Sequence, residues 1–227
     1  MLRIVILTAW TFLVSDLFGQ ETLLKSVQPF HALKADGPMD IRLVKGNDYS
    51  VKVETKGFPS GKVDFEVSGS VLRIELEGSV IRNSSKVDIW VTYKDLDKIE
   101  ATGAANIFGT AILSSKFLDL NASTAATIEL ESETDQLTIE SQTAGQVIVS
   151  GKTRRLALEC ATSANVDAYR LISDEVKAEI RTAASGKVYV LKQIEAQVST
   201  AGSLRYRGTP EKSNLQTATG GGIRKVD

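Results

Sequence analysis

The chain has 227 residues, with 27 Lys and Arg, 28 Asp and Glu, and a formal charge of −1. That length builds one sizeable hydrophobic core or at most two small ones. The even charge balance argues against nucleic acid as a partner, because phosphate binding needs clustered cations. A single Cys and a single His exclude a disulfide framework and a Cys-based zinc site and leave little for His-dependent catalysis.

Residues 1–19 read as a secretory signal peptide. Arg3 supplies the positive start, Ile4 to Val14 is apolar apart from Thr8 and Thr11, and Ser15 to Gly19 leads to a cut after Gly19. The apolar run is too short to span a bilayer, and no Cys follows it for lipid attachment. The expected location is outside the cytoplasm: periplasmic, outer-membrane-associated or extracellular.

Within an entry region spanning 20–95, residues 28–95 alternate apolar and polar side chains between turn residues, the period of half-buried strands. Ile41 to Val44, the turn Lys45-Gly46-Asn47-Asp48 and Ser50 to Glu54 predict one hairpin. Val63 to Val67 and Val71 to Leu76, joined by Ser68-Gly69-Ser70, predict a second, and Lys86 to Thr92 a fifth strand. This strand-rich entry region is expected to cap the remainder of the chain or run on into it.

Residues 96–227 repeat. Seven segments centre on Gly103, Thr124, Thr143, Thr162, Thr182, Thr200 and Thr219, which follow one another by 21, 19, 19, 20, 18 and 19 residues. Four before each centre stand Ile99, Leu120, Ile139, Leu158, Ala178, Ala196 and Leu215, all apolar. Three before stand Glu100, Asn121, Glu140, Glu159, Glu179, Gln197 and Gln216, all polar. That is the in/out signature of a strand. The next two columns after the centre hold only Ala, Ser or Gly, as in Ala125-Ala126 and Ser163-Ala164. Two adjacent small columns predict a tight corner without room for bulk. Apolar residues resume four after the centre, at Ile107, Ile128, Val147, Val166, Leu204 and Ile223. The fifth copy breaks register by two, with Val188 in that place. A unit of this length without 3.6-residue periodicity is one coil of a β-solenoid. Coils stacking at about 4.8 Å would raise seven of them by roughly 34 Å.

This pattern resembles the bacterial auto-transporter adhesin "head GIN" domain family, whose repeat reads apolar-x-x-Ser-Gly-Ala-Ser-x-apolar. Ile99-Glu-Ala-Thr-Gly-Ala-Ala-Asn-Ile107 carries the resemblance best, supported by Phe30 to Gly46 and by Tyr206-Arg-Gly208-Thr-Pro210. The resemblance runs over about 30 to 227 and implies an all-β, right-handed parallel β-helix at the bacterial cell envelope. Two departures stand out. The Pro that usually precedes the first repeat is missing around Tyr93 to Asp95. Thr also holds the family's Gly position in six of seven copies, where a β-branched side chain disfavours the left-handed backbone that Gly permits.

Several residues are candidates for chemistry. The polar column containing Glu100, Glu140, Glu159 and Glu179 would form a surface ladder, with adjacent carboxylates repelling by roughly 1 kcal/mol. Calcium could relieve that repulsion, but Lys and Arg from nearby columns are the expected counter-charge, and no metal or other cofactor is expected. Trp90, Tyr93, Tyr169 and Tyr189 are candidate exposed aromatics for stacking on sugars. His31 reads as a surface or structural residue, and Cys160 as a buried small residue in an inward column. Asn83-Ser-Ser85 and Asn121-Ala-Ser123 match the N-glycosylation pattern, which in a bacterial chain is chance.

The first functional expectation is therefore a non-enzymatic exported protein that presents a stacked surface for adhesion or for an envelope or extracellular ligand, protein or glycan. Self-association through the solenoid ends would add to this if strand edges stay open. The alternatives are a polysaccharide-active lyase or hydrolase, which needs a groove of acidic groups with Lys or Arg, and a purely structural envelope scaffold.

Overall fold

The computed structural model describes residues 21–57, 59–76 and 85–227. The export signal expected over 1–19 lies outside them, as does most of the sequence match at Asn83. The described residues form 17 strands in one hydrogen-bonded network and no α-helix. In chain order these are β1 (Glu21–Ser26), β2 (Ala32–Asp36), β3 (Asp40–Lys45), β4 (Ser50–Lys56), β5 (Val63–Ser68), β6 (Val71–Leu76), β7 (Lys86–Tyr93), β8 (Lys98–Thr102) and β9 (Asn106–Gly109). The long strands follow: β10 (Leu113–Ser123), β11 (Thr127–Gln142), β12 (Gln146–Cys160), β13 (Asn165–Ile180) and β14 (Ser185–Val198). Three short ones, β15 (Ser203–Arg207), β16 (Lys212–Thr217) and β17 (Gly222–Lys225), complete the chain.

The architecture is a β-solenoid of about 7 turns. The strand before each corner stacks in parallel on its counterpart one repeat later. A first face thus runs β6, β2, β8, β10 and then the C-terminal halves of β11 to β14, ending at β16. The strands after the corners make a second face: β7, β3, β9, the N-terminal halves of β11 to β14, β15 and β17. One buried cluster fills the interior from Phe30 to Leu204. Its Leu, Ile and Val side chains contribute about 1.5–3 kcal/mol each on full burial, a gain available only when coils cover one another.

Each corner is a tight turn whose two central residues both have positive φ. In Gln142-Thr143-Ala144-Gly145 the values are 51° at Thr143 and 60° at Ala144, and Gly145 N–H donates to Gln142 O at 3.0 Å. The geometry is that of a type I′ turn. Thr124, Thr162, Thr182, Thr200 and Thr219 adopt the same left-handed backbone, with φ between 49° and 56°. Thr therefore does not move the corner out of the conformation Gly would take. The stack holds it there: Ala144 N–H donates to Thr162 O, Ser163 N–H to Thr182 O and Ala183 N–H to Thr200 O, so each corner is hydrogen-bonded to the next. The two small columns are small for different reasons. Ala126, Ala164 and Ala184 are buried, whereas Ala125, Ser163 and Ala183 are exposed and limited by their positive φ rather than by space.

The structure corrects two expectations about register. Strands β3 and β4 are not hairpin partners. Both edges of β3 are taken by its parallel neighbours β7 and β9, while β4 runs antiparallel between β1 and β7. The turn at Gly46 is present, with its N–H donating to Tyr93 O, but it delivers the chain one strand further out. The β5–β6 hairpin forms as predicted, Ser68 opposite Val71 across Gly69-Ser70. In the fifth repeat there is no register break at the column of Val166 and Leu204, because Gly186 pairs with both. Its missing side chain is replaced from across the core: a Cβ there would stand 2.5 Å from Ile180 Cδ1. Ile180 is the largest member of a column that also holds Ala101, Ala122, Ser141, Cys160, Val198 and Thr217.

The entry region supplies coils as well as caps. The β2–β3 unit turns at Gly37, whose N–H donates to Thr102 O, and stacks directly on β8 and β9. Strands β6 and β7 lie beyond it, so the order of coils in space differs from their order in sequence. Antiparallel β5 then covers the edge of β6, and β4 with β1 covers β7.

Candidate functional site

On the first face the expected polar ladder forms in register: Glu100, Asn121, Glu140, Glu159, Glu179, Gln197 and Gln216. It continues toward the N-terminal end as Lys34 and Arg73. Several of its carboxylates have partners. Lys98 and Lys34 reach Glu100 at 2.7 and 4.0 Å, Arg181 pairs with Glu179, and Asn121 Nδ2 donates to Glu140 Oε2 at 3.1 Å. No group of three or more acidic, His or Cys side chains could hold a metal ion among the described residues.

The four candidate aromatics divide three ways. Tyr93 is 1% exposed, which corrects its reading as a surface residue. It shares the parity of Val87, Ile89 and Val91, the inward side of β7, and burial pushes its hydroxyl pKa up. Trp90 faces outward near the N-terminal end. Its register neighbours Arg42 and Lys52 stand over the ring at 5.2 and 4.9 Å, and Arg42 also pairs with Asp88 at 2.9 Å. Tyr169 and Tyr189 lie together on the C-terminal coils of the second face. Arg207 is the register partner of Tyr189 and stacks over Tyr169 at 4.5 Å, while Lys187 approaches Tyr169 at 5.7 Å and pairs with Asp167 at 2.8 Å.

Strand irregularity puts Tyr169 there. Pairing of β13 with β14 passes from Ala168 opposite Val188 to Ile172 opposite Tyr189, leaving 169–171 without partners on that side. Such bulges re-aim side chains. Beyond them, Tyr189, Arg207, Gly208, Thr209, Lys225 and Asp227 line an open recess of about 470 Å³. Gly208 has φ +98°, and a Cβ on it would stand 1.9 Å from Val190 O, so only glycine fits the bend that carries Arg207 to the rim.

A feature missed in the sequence is the column five after each repeat centre. On the second face it reads Phe108, Glu129, Ile148, Asp167 and then Lys187, Arg205 and Arg224 in register. Three stacked cations close the series. They were legible at a fixed offset from Thr182, Thr200 and Thr219 once columns were followed past the first apolar position.

The other candidates behave as expected. His31 is exposed. Cys160 is 1% exposed, its thiol donates to Ser185 O at 3.6 Å, and burial raises its pKa to about 11.

A family model described as "Putative auto-transporter adhesin, head GIN domain" matches residues 29–210. No sequence among the curated proteins matches the chain. The fold is similar to that of a putative adhesin from Bacteroides fragilis, with a TM-score of 0.85 at 20% identity over 92% of this chain and 97% of that one. A putative adhesin from Parabacteroides distasonis gives 0.76 at 18%, covering 92% and 97%. A putative lipid binding protein from the same species gives 0.71 at 17%, again covering 92% and 97%.

Proposed function

This chain belongs to the auto-transporter adhesin, head GIN domain family, and from that premise we propose that it is an exported, non-enzymatic β-solenoid that presents a rigid surface for adhesion at the cell envelope. The observation that carries the reading is the outward strip on the C-terminal coils. There the ladder register sets Arg207 beside Tyr189, and Arg207 stacks over Tyr169, all three on strands rather than on loops. Rigid aromatic and Arg anchors are the side chains that dominate binding surfaces. The ligand is an envelope or extracellular glycan or protein. Fractionation of cells expressing the full chain tests export, and a glycan array together with capture from an envelope extract tests binding. Retention in the cytoplasm, or no ligand in either assay, refutes the proposal.

A further inference from the structure

We propose that the strip formed by Lys187, Arg205, Arg207 and Arg224, with Tyr169 and Tyr189 beside it, binds a linear carboxylated polysaccharide. This rests on the reading of the chain as an exported binding module and adds the class of ligand.

The cations are not a requirement of the coil. The same column carries Phe108, Glu129, Ile148 and Asp167 on earlier coils, so the fold accepts aromatic, acidic and apolar side chains there. Stacking Lys187, Arg205 and Arg224 at about 4.8 Å sets like charges against one another by roughly 1 kcal/mol per neighbouring pair even in water. On the first face Glu100 and Glu179 of the polar ladder meet Lys98 and Arg181 from adjacent columns. On this strip only Lys187 has a carboxylate partner within salt-bridge distance, Asp167. Arg205, Arg207 and Arg224 are all exposed and have none among the described residues.

The spacing selects the form of the anion. Three rungs cover about 10 Å along the solenoid axis, so one small anion meets one rung, whereas a polymer with a carboxylate on successive units meets all three. Arg guanidinium groups accept carboxylates in two-point geometry. The tyrosines supply what a sugar needs besides charge, an apolar ring for its C–H face and a hydroxyl for its hydroxyls. The recess beside Tyr189 and Arg207, about 470 Å³, is of the size in which small ligands bind. A phosphodiester chain fits less well. The cation run is short, and the column turns acidic at Asp167 and Glu129, which would repel a more densely charged strand.

The full chain is titrated by calorimetry with polygalacturonate and alginate, with neutral dextran and with single-stranded poly-dT. The expected result is saturable binding of a carboxylated polymer that weakens as salt rises and is absent with dextran. Arg205→Gln with Arg207→Gln should reduce affinity about tenfold or more. Arg42→Gln, on the same face at the far end, should bind as the parent does. Should the double variant lose its melting transition, Arg224→Gln on the last coil replaces it. The inference is overturned by no binding of either carboxylated polymer at low salt, by dextran or poly-dT binding as tightly, or by a folded Arg variant with unchanged affinity. If the chain still takes a glycan or envelope ligand in those cases, the binding-module reading survives. If it takes none, both fall.

Discussion

Gly151→Ala is the sharpest test of how coils are held in register. Gly151 lies in β12 at the bend between the two faces, with φ +107°, and is paired with Ser132 on one coil and Leu171 on the other. A Cβ there would stand 2.1 Å from Ser132 O, a backbone atom of the neighbouring coil that cannot retreat without breaking the ladder. The disfavoured φ costs about 1–3 kcal/mol, and forcing an atom into packed surroundings about the same again. The sum, about 2–6 kcal/mol, is a large part of the 5–15 kcal/mol that holds a typical domain together. In urea, where small proteins lose about 1–3 kcal/mol per molar, the unfolding midpoint should fall by about 1 M or more. Gly61→Ala is the control: no atom lies within 4 Å of its added Cβ, so the change should stay within about 0.5 kcal/mol. A loss below about 1 kcal/mol at Gly151 would refute the claim that the bend leaves no room for a side chain.

Three further outcomes follow from the same geometry. Thr162→Gly should leave stability unchanged or raise it by up to about 1 kcal/mol, because relief of the φ 54° strain is set against the greater freedom of glycine in the unfolded chain. A loss above 1 kcal/mol in urea would show that the Thr side chain itself holds the corner. Cys160 has its thiol pKa raised by burial from 9.0 to about 11, so the fold favours the neutral form. Its contribution is complete below pH 9 and is lost as pH climbs toward 11, at about 1.4 kcal/mol per unit. Cys160→Ala should lack that slope, and identical pH profiles for the two proteins would contradict it. Calcium should leave the melting temperature unmoved, since Glu100, Glu140 and Glu179 already have partners, and a rise of several degrees in millimolar calcium would reverse that reading.

The parallel stack was legible because every coil must place apolar side chains at the same offsets to cover the next. Hence Ile139, Leu158 and Ala178 align in sequence before they align in space. The same logic made the glutamate ladder visible, and parity alone would have placed Tyr93 inside. Where one coil compensates for another, column reading failed. Gly186 looked like a slip of register because its volume is supplied by Ile180, six residues earlier, and no column holds both. The β3–β4 hairpin was misread for a related reason. A turn signal specifies that the chain reverses, whereas the partner is decided by which edges remain free, and β3 had none. The left-handed Thr residues escaped because local preference was weighed without the hydrogen bonds between corners.

A repeat spreads identical properties along its length, so a binding site on such a fold has to arise where the repetition stops. On the first face the ladder keeps one register from coil to coil, which makes each coil much like its neighbour. On the second face two irregularities coincide at the C-terminal coils: residues 169–171 leave the pairing with β14, and the outward column turns from mixed to wholly basic at Lys187. Either alone would be a local variation. Together they turn out an aromatic ring beside three stacked cations, on strands whose register fixes the spacing. Two exposed apolar side chains lie on the same strands, Ile172 at 44% next to the bulge and Leu191 at 41% at a second register shift. If recognition resides in the break rather than in the repeat, deleting one regular coil, 146–164, should leave the binding strip working, because β11 and β13 carry the same columns and can stack directly. Retained stacking with lost binding would place the ligand on the regular coils instead.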